Sequence, residues 1–222
     1  RLYSMFSAPP GQELEWSEDA VEGMSRFLRR VFRMATRDGL REGDPRAEAA
    51  TPAMKALDVR LHETIHRVTV DLEQRLHFNT AIAAIIELMN DVQDAAPIER
   101  PLAPQDAGVV RRVVEGALMM LAPFAPHACE ELWERLGHET PLSSTPWPAA
   151  DPAKLVKDHV VVAVQVNGKL RGQVTLPLDA PEDVALAAAR SDENVARHLR
   201  AAAVVKVVHV KNRLLNIVVR PA

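Results

Sequence analysis

Apolar residues recur every three or four positions over roughly the first 137 residues, which is the spacing of amphipathic helices. The most regular stripe consists of Leu57, Leu61, Ile65, Val68 and Leu72. Ser17 and Thr51 each precede such a segment and suit the N-cap position, and Pro52 fits a first helical turn. The pattern predicts an antiparallel helical bundle of about five helices.

Turn residues give this bundle its expected helix boundaries. We expect the helix after Ser17 to end near Asp38 and Gly39, where glycine can adopt a left-handed conformation. Asn79 and Asp106 are candidate N-caps for two later helices, because each precedes an apolar periodic segment.

The composition changes after Gly137, where the segment HETPLSSTPWPAADP is rich in Pro and Ser and shows no periodic pattern of apolar residues. Two β-branched runs then flank Asn167-Gly168, which is a strong signal for a β-hairpin. A helical stretch, broken near Ser191 and Asp192, and a second hairpin follow. We therefore predict a fold of α plus α+β class: a helical domain over 1–140, a linker over 141–157, and a small ββααββ-type domain over 158–222.

Alternation along the strand after Asn167-Gly168 predicts which side chains face the helices. We expect the apolar set to face inward and the basic and polar set to face solvent. The inward set is Leu170, Val174 and Leu176, and the outward set is Lys169, Arg171 and Gln173.

Charge separates the two parts of the chain. Residues 1–150 carry 16 Lys and Arg against 23 Asp and Glu, a net charge of −7, whereas residues 151–222 carry 11 against 7, a net charge of +4. An acidic body with a modestly basic tail indicates a local anionic partner for the tail.

One face of the first long helix is made of arginines. These are Arg26, Arg29, Arg30, Arg33 and Arg37. At about 100° per residue they share an arc of about 100°, opposite the apolar face. Guanidinium groups match phosphate oxygens bidentately, so we expect phosphate contact here. Pairing with acids of neighbouring helices is the alternative.

The strand segments of the tail are basic and contain no acid. Over 159–177 and 204–220 the charged residues are Lys169, Arg171, Lys206, Lys211, Arg213 and Arg220. Protection of edge strands would explain one or two of them. We expect the set to bind a nucleic-acid backbone. Residues after 150 include no Phe, Tyr or Trp, which favours phosphate, sugar and folded RNA shape over stacking on single-stranded bases.

The segment HETIH, residues 62–66, matches the HExxH pattern of zinc hydrolases. His62 and His66 would share a helix face, and Glu87 is a conceivable third ligand. Both histidines also flank the apolar stripe, where polar residues of an ordinary bundle helix lie, and Arg60 and Arg67 would repel a dication. We expect an ordinary helix with no metal ligands and keep the zinc hydrolase as a minor alternative.

The compartment follows from what the sequence lacks. Cys129 stands alone, so an internal disulfide is impossible and a reducing, cytoplasmic setting is expected. No apolar run of 18 residues and no signal peptide occur, so we expect no membrane association. The chain does not begin with Met, and we interpret it as a fragment.

Several phrases together resemble the C-terminal portion of bacterial-type leucyl-tRNA synthetases, in order over nearly the whole chain. They are HFNTAIAAIIELMND, MLAPFAPHACEELWERLG, VVVAVQVNGKLRGQV and NRLLNIVV. The first two are shared more loosely with valyl and isoleucyl relatives, so an equivalent fragment of those enzymes remains a second possibility. A protein-interaction module whose basic hairpins meet an acidic protein is a third.

The resemblance implies an anticodon-binding helical domain and a small C-terminal domain that contacts tRNA(Leu). It implies that Lys169 and Arg171 belong to the hairpin motif of the family. A whole enzyme of this family joins leucine to tRNA with ATP and Mg²⁺ in a catalytic domain with HIGH and KMSKS signatures. Neither signature occurs here. We therefore expect no catalytic residue and no cofactor in this chain, which would position tRNA for a catalytic domain of the same polypeptide.

Overall fold

A computed structural model describes residues 1–8, 13–156, 159–199 and 202–221. It divides the chain into two compact units, Arg1–Leu155 and Val156–Ala222, which we call the helical unit and the sheet unit. The prediction of a helical domain followed by a small domain with four strands is confirmed.

The described part of the helical unit holds seven α-helices, of which five have ten residues or more. They are α1 (Leu2–Ser7), α2 (Glu18–Ala35), α3 (Pro52–Val70), α4 (Phe78–Ala95), α5 (Pro104–Leu121), α6 (Pro126–Arg135) and α7 (Pro152–Leu155). A π-helical turn, Asp71–Arg75, extends α3, and Leu76 ends it with a left-handed conformation (φ 52°). A 3₁₀ turn occupies Leu142–Ser144.

Two of the predicted helix starts are confirmed by their caps. The hydroxyl of Ser17 accepts a hydrogen bond from the backbone N–H of Ala20 at 3.3 Å. The hydroxyl of Thr51 accepts one from Met54 at 3.2 Å, and Pro52 is the first residue of α3. Each cap satisfies one of the free N–H groups at a helix start.

Three other predicted boundaries are wrong by a few residues. Asn79 and Asp106 lie inside the first turns of α4 and α5 and cap neither helix. In α5 this follows from Pro104, whose fixed φ suits the first helical position and starts the helix earlier. The helix α2 ends at Ala35, before the left-handed Gly39 (φ 79°).

The core of the helical unit lies between α3, α4 and α5, with α2 and α6 packed around it. Fully buried residues at its centre include Ile82, Ile85, Leu88, Val110, Val113 and Leu118. Burial raises the pKa of the Cys129 thiol to about 12, so this side chain acts as a small apolar group.

The structure differs from the predicted linker, because residues up to Leu155 pack on the helical unit. Leu142 is buried, and its N–H donates to the carboxylate of Glu130 at 2.8 Å. Further along, the indole N–H of Trp147 donates to the hydroxyl of Thr69 at 2.8 Å. The Pro- and Ser-rich composition reflects irregular backbone here, while specific side-chain contacts hold it in place.

The sheet unit has the element order ββααββ. Its elements are β1 (His159–Val166), β2 (Lys169–Pro177), α8 (Glu182–Ser191), α9 (Glu193–Leu199), β3 (Ala202–Val210) and β4 (Leu214–Pro221). The strand order is β2-β1-β4-β3: each hairpin is antiparallel, and β1 and β4 join the hairpins as a parallel pair.

Helices α8 and α9 cover one face of this sheet. Ala185, Ala189 and Val195 pack there against buried strand residues such as Val164 and Ile217. The opposite face carries exposed apolar side chains, including Val161 (57%) and Leu170 (59%). None of the helices in the described ranges combines the length and apolar character needed to cross a bilayer.

Candidate nucleic-acid interface

Six basic side chains project from the strands and turns of the sheet unit. Five are exposed: Lys169, Lys206, Lys211, Arg213 and Arg220. Across the residues that the structure describes, none of the six lies within 4.0 Å of a carboxylate oxygen. Their positive charge is therefore not neutralised inside the sheet unit and is available to an anionic partner.

A β-bulge changes the orientation of side chains at the start of β2. Gly172 pairs with Val164 and Leu170 pairs with Gln165, so Arg171 is the inserted residue. An inserted residue reverses the alternation, which is why the inward prediction is wrong for Leu170. Further along β2, the predicted inward residues Val174 and Leu176 are buried.

The same bulge places Lys169 and Arg171 differently from the sequence prediction. Lys169 is paired with buried Val166, and cross-strand partners share a face of the sheet. Lys169 therefore leaves from the helix-covered face, at the end of the hairpin, where it is exposed. Arg171 is half-buried, and its Nε is buried without a hydrogen-bond partner among the described residues.

Asparagine side chains brace the β1–β2 turn against β4. Asn167 donates through Nδ2 to the carbonyl of Val219 at 3.0 Å and accepts through Oδ1 from the Val219 N–H at 2.9 Å. The N–H of Gly168 donates to Oδ1 of Asn216 at 3.1 Å. We call this edge the Asn167 end. It carries the exposed cations Lys169, Lys206 and Arg220.

A second brace fixes the β3–β4 turn at the opposite end of the sheet. Asn212 has a left-handed conformation (φ 61°), accepts from the N–H of Asp179 at 2.7 Å and donates to its carboxylate at 2.8 Å. Lys211 and Arg213 flank it, and the carbonyl of Arg213 accepts from the Ala163 N–H at 3.3 Å. We call this edge the Asn212 end. The structure thus divides the predicted tail cations between two braced turns.

Sequence reasoning found the turns but missed the braces. Asn216 sits in the apolar run LLNIVV, and a lone amide in such a run is the signal that could have indicated a specific hydrogen bond. The braces hold the turns by side-chain bonds to neighbouring backbone, so the positions of the basic residues beside them are set by the fold.

The predicted arginine face of α2 separates into side chains with different environments. Arg29 and Arg33 are exposed and have no carboxylate within 4.0 Å among the residues described. Arg26 pairs with Glu22 at 2.9 Å on the surface. Arg30 is half-buried, with its guanidinium carbon 5.8 Å from the centre of a phenylalanine ring.

Arg37 belongs to the structure of the bundle. Its guanidinium donates to the carbonyls of Ala96 at 2.8 Å, Pro97 at 3.2 Å and Arg100 at 2.8 Å. These carbonyls follow the C-terminus of α4, where cations are favourable. Burial lowers the pKa of Arg37, and Glu99 partly offsets this. The prediction of a phosphate ligand therefore fits Arg29 and Arg33 better than Arg37.

The surroundings of the two histidines in HETIH differ from those of a metal site. Nδ1 of His62 accepts the backbone N–H of Asp151 at 3.0 Å, so this nitrogen is occupied. His66 is exposed on α3, and a carboxylate oxygen of Glu63 lies 3.7 Å from a nitrogen of Arg60.

Glu87, the conceivable third ligand, is bound to arginines. Its carboxylate contacts Arg60 at 3.2 Å and Arg67 at 3.1 Å. Across the described ranges, no group of three or more His, Cys, Asp or Glu side chains is arranged to hold a metal ion. The geometry gives the zinc alternative no support.

Comparison with known proteins relates this chain to tRNA ligases. Residues 55–186 match the family model described as the anticodon-binding domain of tRNA ligase. The leucine–tRNA ligase of Hydrogenovibrio crunogenus is 44% identical over 99% of this chain and 25% of its own length. That of Geotalea uraniireducens is 43% identical over 99% of this chain and 27% of its own length.

A solved structure resembles the whole chain. It is a crystal structure of the LeuRS of Agrobacterium radiobacter in a ternary complex with tRNA and LeuAMS, with a TM-score of 0.77 and 30% sequence identity. The match covers 99% of this chain and 28% of that one. The chain thus spans about a quarter of the length of the relatives it matches.

Proposed function

This chain belongs to the family of anticodon-binding domains of tRNA ligases, and we propose that it is the tRNA-positioning part of a leucine–tRNA ligase. In this proposal the chain binds tRNA(Leu) by backbone and shape contacts. A catalytic domain outside these residues carries out the leucylation with ATP and Mg²⁺ in the cytoplasm. This chain alone is catalytically inactive.

The observation that carries the proposal is the set of unneutralised cations on the sheet unit. Lys206, Lys211, Arg213 and Arg220 are exposed and have no carboxylate partner in the part of the chain described. Phosphate contacts of this kind orient a nucleic acid and carry little sequence information. They suit a domain whose task is to hold the shape of tRNA while the acceptor end reacts elsewhere.

The helical unit contributes a smaller contact through α2. Arg29 and Arg33 lie one turn apart on its exposed face and are free of ion pairs among the described residues. We assign phosphate contact to these two and to Arg26, whose bond to Glu22 is exposed and therefore weak. Arg30 and Arg37 support the helix around them.

The experiment that tests this proposal is hydroxyl-radical footprinting of tRNA(Leu) with the purified chain. We expect protection of sugars in two separate tracts, one for each unit of the chain. A variant with Lys206→Gln and Arg220→Gln should show weaker protection in one tract and unchanged protection in the other. A chain that protects no part of the tRNA would contradict the proposal.

A second candidate function has one observation in its favour. Val161 and Leu170, 57% and 59% exposed, make the uncovered sheet face partly apolar, as is common for protein-binding surfaces. The basic turns would then bind an acidic protein. Competition separates the two functions: tRNA at low concentration displaces a bound acidic polypeptide if RNA is the partner.

A further inference from the structure

A polar cavity in the helical unit is lined by four Lys and Arg side chains that the tRNA contacts proposed above do not use. Its volume is about 570 Å³, within the range of ligand pockets. Side chains from the loop before α3, from α3, from α5 and from α7 meet there. They include Arg46, Lys55, Asp58, His62, Arg112 and Lys154.

Both oxygens of the buried carboxylate of this pocket already accept hydrogen bonds from cations. Oδ1 of Asp58 accepts from Nε of Arg112 at 2.9 Å and from its Nη2 at 2.8 Å. Oδ2 accepts from Nζ of Lys154. Asp58 therefore neutralises one charge of the two cations that hold it and leaves one positive charge in the wall of the pocket.

The wall is fixed by the neighbouring loop. Nη1 of Arg112 donates to the carbonyl of Pro45 and, at 2.9 Å, to that of Ala47. The loop approaches α5 closely at Gly108, where an added Cβ would lie 2.2 Å from the carbonyl oxygen of Asp44. Only glycine permits this approach, so tight packing of the loop on α5 fixes the shape of the pocket wall.

Free hydrogen-bond donors line the open side. Arg46 and Lys55 are exposed and have no ion pair among the residues that the structure describes. Since Nδ1 of His62 accepts the Asp151 N–H, the proton of its neutral ring lies on Nε2, which makes Nε2 a donor. Glu48, which is exposed at the rim, is the other carboxylate of the pocket.

We propose that this pocket binds a phosphate group. Four cations face two carboxylates, and both oxygens of the buried one are already bonded to cations, so the site offers donors and positive charge to an oxyanion and little to a cation. Lys and Arg are the side chains that bind phosphate oxygens in proteins. The phosphate belongs to an RNA backbone or to a free phosphate compound, and both present the same oxygens to the pocket.

The direct test uses inorganic phosphate against sodium chloride at equal ionic strength and constant pH. NMR of the His62 ring should show a saturable shift with phosphate only. At ten times the dissociation constant, the Tm of the helical unit should rise by about 3–6 °C. The variant with Arg46→Gln and Lys55→Gln should bind phosphate at least about tenfold more weakly. Both side chains are exposed, so its fold should be unchanged.

A control variant with Arg41→Gln and Arg100→Gln loses the same charge outside the pocket and should bind phosphate like the wild type. If the Arg46 and Lys55 variant also binds tRNA more weakly, the phosphate is that of RNA. If its tRNA affinity is unchanged, the phosphate is that of a smaller compound. No saturable His62 shift in the wild type, or equal phosphate binding by both variants, would overturn the inference. Failure of the wild type to bind tRNA would count against the proposed function alone.

Discussion

The two units use their basic residues in opposite ways. In the helical unit Arg60, Arg67, Arg111 and Arg112 each bond to carboxylates, and Arg37 bonds to backbone carbonyls. In the described part of the sheet unit no basic side chain lies within 4.0 Å of a carboxylate. Many cations of the helical unit are thus bonded within that unit, whereas the described cations of the sheet unit have no carboxylate partner.

Because of this difference, the number of arginines is a poor guide to where free positive charge lies. The helical unit supplies most of the arginines of the chain. Several of them bond to carboxylates or carbonyls of neighbouring helices and loops, and exposed arginines without an ion pair, such as Arg29, are fewer. A cation is available to RNA when its side chain is exposed and is not paired with a carboxylate of the same chain. Both properties can be determined only from the folded structure.

Removal of the buried acid of the helical unit should have the largest effect. Asp58→Ala leaves Arg112 and Lys154 without their anion, so we expect the free energy of unfolding to fall by about 3–5 kcal/mol. Urea unfolding of the variant measures it. Glu22→Ala, which removes the exposed partner of Arg26, should cost less than about 0.5 kcal/mol. Equal losses would remove the distinction between structural and surface cations.

Replacing Arg37 should separate stability from binding. Arg37→Ala removes three hydrogen bonds to carbonyls, and we expect a loss of about 1–3 kcal/mol in the free energy of unfolding with unchanged tRNA affinity. The paired change Arg29→Ala with Arg33→Ala should weaken tRNA binding and leave stability unchanged. Weaker tRNA binding by the Arg37 variant would contradict its assignment as a structural residue and would show that Arg37 contacts RNA.

Neutralising two cations at the Asn167 end should give the converse result. Lys206→Gln with Arg220→Gln should reduce tRNA affinity by roughly tenfold near 0.1 M salt, because two phosphate contacts are lost. The free energy of unfolding should stay within about 0.5 kcal/mol of the wild type, since both side chains are exposed. A fluorescence binding titration and a denaturation curve measure the two quantities. A loss of stability without a loss of affinity would assign these residues to the fold.

The smallest effect concerns pH. Desolvation lowers the pKa of His62 in the folded chain, against opposing contributions from Asp58 and Asp151. Below the ordinary histidine pKa of about 6.5 the unfolded chain then binds more protons, so stability falls as pH drops through the pKa of the folded state. His62→Asn keeps an acceptor for the Asp151 N–H, and this variant should lose less stability than the wild type between pH 7 and pH 5. Identical pH dependence would show that His62 does not contribute.

Local sequence signals predicted the elements well where one residue type determines the geometry. The Asn167-Gly168 hairpin, the Ser17 and Thr51 caps and the break at Asp192 are present in the structure. In each case a short-range backbone requirement selects the residue.

The errors arise where contacts distant in sequence decide. The β-bulge at Arg171 reverses the direction of Leu170, and nothing in an alternating pattern marks an inserted residue. Trp147 and Asp151 fix a Pro-rich stretch to α3, and Arg37 reaches carbonyls about 60 residues away. Which cations are free could not be predicted for the same reason, because the acids that pair with the remaining cations lie on other elements.

The central claim is that free cations of the sheet unit bind RNA phosphates. The most direct measurement is the salt dependence of tRNA binding by the wild type and by the variant with Lys206→Gln and Arg220→Gln. With four to six phosphates engaged, log affinity should fall against log salt with a slope on the order of −3 to −5, and the variant slope should be shallower by about two. A wild-type slope near zero, or equal slopes for the two proteins, would contradict the claim.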